Sequence, residues 1–314
     1  MKNANPSFSY SLDNKRYHTL NYYYRSLFHK KVFKVSLNAN FSCPNFKNGS
    51  GCIFCAHGSN DYDLTKNKSL IEQFYEVKNI TEKKWPNALY IGYFQSNTNT
   101  YAPLTILKEK YESILNLPNV VGLAIATRSD AISNEVLDYL TELNKKTFLT
   151  VELGLQSCNE QTLKLINRGH DVKNFIDCVH RLKERNINVV AHIINGLPND
   201  TKEDMIKTAR LLNELNIDGI KIHMLHILKE TPLETLYKTQ PFPILSKEEY
   251  IDIVIEQLEH LDPNIVIHRI TGDPKIEELV TPTWLIKKFT VLNDIDKEMK
   301  KRNTYQGKKI KHKN

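Results

Sequence analysis

The 314-residue chain is poor in glycine and proline, with 11 and 12 respectively. Together they make about 7% where about 12% is usual, which excludes collagen-like and Pro/Gly-rich disordered chains. No segment approaches the ~18 unbroken apolar residues that a membrane helix needs. The opening MKNANPSFSYSLDN has no apolar core of a secretory signal. The expectation is a cytoplasmic protein with no membrane partner. Internal repeats are also lacking, which argues against a solenoid or propeller. Cysteine is scarce and unevenly placed: of five, an odd number, three fall between positions 43 and 55. A secreted disulfide framework does not look like this; a metal or redox site does.

What is present is a chain long enough for one large domain or two ordinary ones, with an ordinary charged fraction of 25% and a net charge of +7. Ten Lys/Arg against Asp294, Asp296 and Glu298 lie in 287–314, so the surplus sits at the C-terminus. Its ending, KKRNTYQGKKIKHKN, is too hydrophilic to be expected to pack. Such a tail either contacts phosphates without reading sequence or only aids solubility.

Short β-branched or apolar runs occur at 32–37, 88–94, 120–126, 147–153, 188–194, 219–225 and 264–270. Amphipathic stretches of helical spacing fill 69–84, 104–115, 134–145, 172–185, 202–215 and 247–260. Ser133 and Thr201 stand at N-cap positions, and Ser246 with Glu249 forms a capping box. This alternation predicts an α/β protein with a parallel sheet, closed toward a barrel or open and doubly wound. Ahead of it, Tyr17, Tyr22, Tyr23, Tyr24 and Phe28 form an aromatic-rich lead-in expected to pack over one end of the sheet.

Cys43, Cys52 and Cys55 sit in CPNFKNGSGCIFC directly after the first run, where Gly49 and Gly51 give slack. Loops after strand C-termini carry the chemistry of parallel barrels. Three cysteines leave a cubane iron–sulfur cluster with one iron open; with His57 they make a Cys3His zinc set instead, the staple of a non-catalytic RNA-binding protein. Spacing alone keeps both. Thiol–disulfide exchange is disfavoured, because the pair is followed by AHGSNDYD rather than by a helix. Cys158 and Cys178 read as ordinary thiols. Polar residues also cluster in or just past the strand runs: Gln95, Arg128, Asp130, Glu152, Gln156, His192, Asn195, His223, His226, His268, Arg269 and Asp273. With parallel strands these form one rim around a cavity shared with the cysteine loop.

The cysteine loop, GLQS, NRGH, GLP and HRITGD together resemble the radical S-adenosylmethionine superfamily, and within it the group related to the Elongator catalytic subunit and the YhcC/YtqA-like proteins. The likeness runs from about Arg16 to Asp273. It implies a partial (βα)6 TIM-like barrel at 31–262, between a lead-in at 1–30 and a C-terminal strand/helix extension with a basic tail at 263–314. It further implies a [4Fe–4S] cluster on Cys43, Cys52 and Cys55, with S-adenosylmethionine on the fourth iron, and a 5′-deoxyadenosyl radical that abstracts hydrogen. Gln156 and Arg168 would hold the cofactor's ribose and carboxylate, Gln95 its amino group, and Gly196 would approach adenine. Phe54 would pack over the cofactor, and His192 stands where some relatives place an acidic residue. The implied partners are tRNA, modified at the C5 substituent of the wobble uridine, with a small metabolite or a protein as the alternative substrate, and an electron donor such as flavodoxin or ferredoxin. The chain departs from the commonest pattern in the long interval between Cys43 and Cys52, and in YFQSNTNT, which lacks a Gly-Gly-Glu.

Overall fold

The computed structural model describes residues 15–47, 49, 51–55 and 68–310. Seven strands make one sheet: β1 (Val32–Leu37), β2 (Leu89–Phe94), β3 (Val120–Thr127), β4 (Phe148–Gln156), β5 (Asn188–Asn195), β6 (Gly219–Met224) and β8 (Val266–Arg269). They follow the order β1-β2-β3-β4-β5-β6-β8, and every neighbouring pair is parallel. The sheet curls into a half-barrel, so the barrel alternative holds over the open one. A short ribbon pairs β7 (Ile227–Leu228) with β9 (Leu279–Thr281) antiparallel.

The helices between strands are α3 (Leu70–Lys84), α4 (Leu104–Leu115), α5 (Asn134–Asn144), α7 (Val172–Lys183), α8 (Lys202–Glu214) and α10 (Lys247–Glu259). Their starts are written in side chains. Ser133 accepts from the Val136 amide, and Thr201/Asp204 and Ser246/Glu249 close reciprocal capping boxes. Sequence reading did not anticipate the short α2 (Pro44–Lys47), α6 (Glu160–Leu165) and α9 (Pro232–Thr239), too brief for periodicity to declare.

Residues on one face of the strands, Val35, Leu37, Leu123, Ile125, Val151 and Leu153 among them, are buried against the helices. The barrel interior holds a smaller apolar plug. Helix α1 (Leu20–Phe28) lays Tyr24 on Val32, Ile91 and the small Ala124 and Ala126. The Tyr24 and Phe28 rings meet Phe148 edge-on at 6.2 and 5.5 Å. The aromatic lead-in is thus a helix that stops the strand N-terminal end. It also ties the two sheet edges: Thr19 bridges to Ile267, whose amide donates to the His18 carbonyl at 2.8 Å.

The C-terminal segment corrects an expectation. It packs: α11 (Lys288–Lys301) buries Val291, Ile295 and Met299 completely, three positions spaced four apart along one helical face. Beyond it Gln306 is fully buried, its amide donating to the Asp262 and Ile265 carbonyls at 2.7 and 2.8 Å. Much of the positive charge is paired, Arg302 with Asp252 at 2.7 Å and Lys309 with Glu259 at 2.6 Å. Average hydrophilicity concealed a narrow apolar stripe. Residues 311–314 lie outside the described part.

Candidate active site

The strand C-termini open on a cavity of about 820 Å³ inside the half-barrel. Cys43, Cys52, Cys55, Phe54, Gln95, Gln156, Arg168 and His192 all line it. Gly196 does not: a side chain there would meet Leu245 and Leu225. His57, the fourth ligand of the zinc alternative, lies outside the described residues.

The cysteine loop is clamped from three sides. Cys43 leads into α2, and the chain returns through Gly51, whose φ of +77° favours glycine and whose added Cβ would sit 2.4 Å from the Phe46 ring. Asn167 donates to the Gly51 carbonyl at 2.6 Å, the Ile53 amide to Ile166 at 3.0 Å, and the Leu233 amide of α9 to Ile53 at 3.0 Å. Asn45 donates to the Asn167 carbonyl at 2.7 Å and lies 3.4 Å from Cys52 Sγ. The NRGH segment is therefore the mould against which the cysteines are set.

Two arginines stand in this mould. Arg168 donates through Nη2 to the Gly154 carbonyl at 2.7 Å and brings Nη1 to 3.7 Å from Cys52 Sγ. Arg128 grips Asp130 with two bonds of 2.8 Å. Among the described residues, buried Arg168 Nε and Arg128 Nη1 have no hydrogen-bond partner. The Cys52 thiol is pushed down to about 5, first by the Cys55 hydrogen bond and then by the Arg168 and Arg128 cations. Its partner Cys55 moves up by the same contact and by burial. Gly154 carries no side chain where Gln156 Nε2 and Arg168 Nη2 approach to 2.6 and 2.8 Å of a would-be Cβ.

Deeper in the barrel is a second group that sequence reading found only in part. Glu152 on β4 has no exposed side-chain surface and is surrounded by donors. Lys34 of β1 and Lys221 of β6 each reach it at 2.5 Å, and His192 Nε2 of β5 at 2.8 Å. Lys221 also donates to the Tyr93 hydroxyl at 2.7 Å, and Lys34 lies 3.4 Å from His268 Nδ1. Lys34 and Lys221 were missed, yet each is a lone charge inside an apolar strand, VFKVSL and GIKIHM. Inward placement every second residue would have paired both with Glu152.

A parallel half-barrel with three cysteines on its first strand-to-helix loop, facing a polar cavity, defines an enzyme of the radical S-adenosylmethionine type. The chain belongs to that family: residues 43–212 match the Radical SAM superfamily and 217–301 the Radical_SAM C-terminal domain. It is 47% identical to YtqA of Bacillus subtilis (strain 168) over 313 residues, which covers 98% of this chain and 97% of the relative. A tRNA uridine(34) acetyltransferase of Methanocaldococcus infernus is 30% identical over 137 residues, 43% of this chain and 25% of the relative. Among solved structures, archaeal Methanocaldococcus infernus Elp3 superposes with a TM-score of 0.67 at 18% identity, covering 88% of this chain and 64% of that one, a likeness of fold. Family membership displaces the non-catalytic zinc-staple alternative. No helix among the described residues is long and apolar enough to cross a membrane.

Proposed function

We propose that Cys43, Cys52 and Cys55 ligate a [4Fe–4S] cluster whose open iron takes S-adenosylmethionine, and that the enzyme modifies the C5 side chain of the wobble uridine in tRNA. The observation that carries the cofactor reading is the convergence of three cysteines and two arginines with unpartnered N–H groups on one cavity. The donor set fits: a depressed Cys52 thiol supplies a thiolate ligand, and Arg128 and Arg168 offset the negative charge of a thiolate-bound cluster.

A cluster held by these cysteines would supply one-electron reduction of S-adenosylmethionine and, with it, radical hydrogen abstraction from the substrate. The chain's own part is to hold and shield. Arg168 orients Cys52, Gln156 and Gln95 offer amide groups to the cofactor's polar ends, and Phe54 covers the cysteine side of the cavity. Arg128, braced by Asp130, keeps a fixed donor beside the cysteines. A flavodoxin or ferredoxin suits as electron donor.

The tRNA reading is supported by the partial likeness to a tRNA uridine(34) acetyltransferase. The cavity of about 820 Å³ suits a single extruded nucleoside and not a duplex. Anaerobic reconstitution should load roughly four irons per chain and yield deoxyadenosine from S-adenosylmethionine. Alanine at Cys43, Cys52 or Cys55 should abolish this, and Cys158→Ala should not. Mass spectrometry of tRNA nucleosides from cells with and without the protein tests the substrate: unchanged wobble uridines would refute tRNA.

A further inference from the structure

The charges lining the cavity do not balance at its Glu152 end. The buried Glu152 carboxylate already accepts from Lys34, Lys221 and His192. The side chains of Lys34 and Lys221 are only 14% and 10% exposed, so two lysines share one carboxylate away from bulk water, and burial lowers Lys221 to about 7. Next to Lys221 in the sheet register stands Arg269 at the end of β8. Its exposed side chain lines the mouth of the same cavity, and among the described residues that side chain makes no hydrogen bond or ion pair. His223 and His268, also on the wall, are pushed well below the usual histidine range by burial first, then by His192 and Arg269 for His223 and by Lys34 for His268. No carboxylate other than Glu152 lines the cavity among the described residues. Arg128 and Arg168 stand by the cysteines and do not alter this count.

A second ammonium beside a single buried carboxylate is costly, so burial strips part of its charge, and an incoming anion restores that charge and is bound by it. Arginine supplies a planar fork that matches carboxylate and phosphate alike. We infer that Arg269, with Lys34 and Lys221 behind it, forms a subsite for an anionic group of the substrate, a carboxylate or a phosphate. This rests on the radical-enzyme reading for its place in catalysis but not for its chemistry. The subsite fixes the substrate by its charged end while the cysteine end holds the cofactor. Glu152 acts as a positioning residue that keeps both lysines extended into the cavity.

The test is calorimetric titration of the anaerobically prepared full chain, saturated with S-adenosylmethionine, with acetate and with inorganic phosphate as separate probes. Saturable binding of one anion per chain is expected, weakened at least tenfold in Arg269→Gln and unchanged in the surface control Lys207→Gln. The probe that binds more tightly identifies the group as carboxylate or phosphate. Absence of binding, equal binding to Arg269→Gln, or binding lost once S-adenosylmethionine is present, which would mean that the cofactor's own carboxylate fills the subsite, would each overturn the inference. Deoxyadenosine formation by the unsubstituted protein is followed in parallel. Cleavage without anion binding sinks the subsite alone; anion binding without cleavage supports the subsite and sinks the radical reading.

Discussion

Glu152 is the residue on which the cavity's inner charge depends. Its carboxylate is wholly buried, and although burial alone would raise its pKa, Lys221 and Lys34 hold it well below the usual carboxylate range. Lys221 moves the other way: burial lowers it to about 7 in spite of Glu152. Replacing Glu152 by Gln leaves two lysines facing each other without a counter-charge, a defect that typically costs about 3–5 kcal/mol. The double variant Glu152→Gln/Lys221→Met removes both the carboxylate and one cation. We expect it to recover about 0.5–3 kcal/mol relative to the sum of the single changes, the range of coupled neighbours. Urea denaturation of the four proteins measures this, and strictly additive losses would show that the network carries no coupling. Half of this network was legible. Glu152 and His192 stood out as polar groups in or just past the strand runs, whereas Lys34 and Lys221, equally within strands, read as ordinary surface lysines, because neither run on its own shows that its lysine faces the barrel interior.

At the scale of elements, the cysteine loop depends on a backbone shape that only a few residues write. Gly51 turns the chain at φ +77° directly under the Phe46 ring. Gly51→Ala forces both a disfavoured conformation and a ring displacement, at about 1–3 kcal/mol of local strain. The strain falls on the loop, so the expected result is poorer iron incorporation with the far-UV spectrum unchanged; full iron loading in this variant would contradict it. Helix starts were the easiest elements to foresee, because Ser133, Thr201 and Ser246 cap them visibly. The seven sheet strands were equally plain from their apolar runs. The clamps on the loop were not, since Asn167 meets Gly51, and Leu233 meets Ile53, across long separations that no local pattern records.

For the whole molecule, the C-terminal segment is structural support. Removing everything after Lys287 strips Val291, Ile295 and Met299 from the core, a loss of roughly 5–9 kcal/mol at about 1.5–3 per side chain. That rivals the total stability of about 5–15 kcal/mol of an ordinary domain, so the truncated chain should lose its cooperative melt; an unchanged melting temperature would refute this. The segment's part in RNA binding is therefore better tested by charge substitutions than by deletion. Acid should act on the molecule chiefly through its buried histidines, opposed in part by Asp200, which burial raises to about 6 so that the folded chain holds its proton where the unfolded one does not. Burial holds His192 and His226 at about 4, against Lys221 and Arg269 respectively as further depressing cations, while an unfolded histidine titrates near 6.5. Between those values the unfolded chain binds more protons than the folded one, so stability falls as pH drops from 6.5 toward 4. Each buried histidine contributes about 2 kcal/mol between pH 6.5 and 4.5, at about 1.4 kcal/mol per pH step. Lys221, lowered to about 7, continues the trend, because the unfolded lysine keeps its proton up to about 10.4 and stability rises further above neutrality. Urea midpoints should accordingly climb from pH 5 through 6.5 to 8, and His226→Gln should flatten the acid limb. A profile level across that range would mean that these side chains are hydrated in the folded protein, and the closed, cation-rich interior inferred here would be wrong.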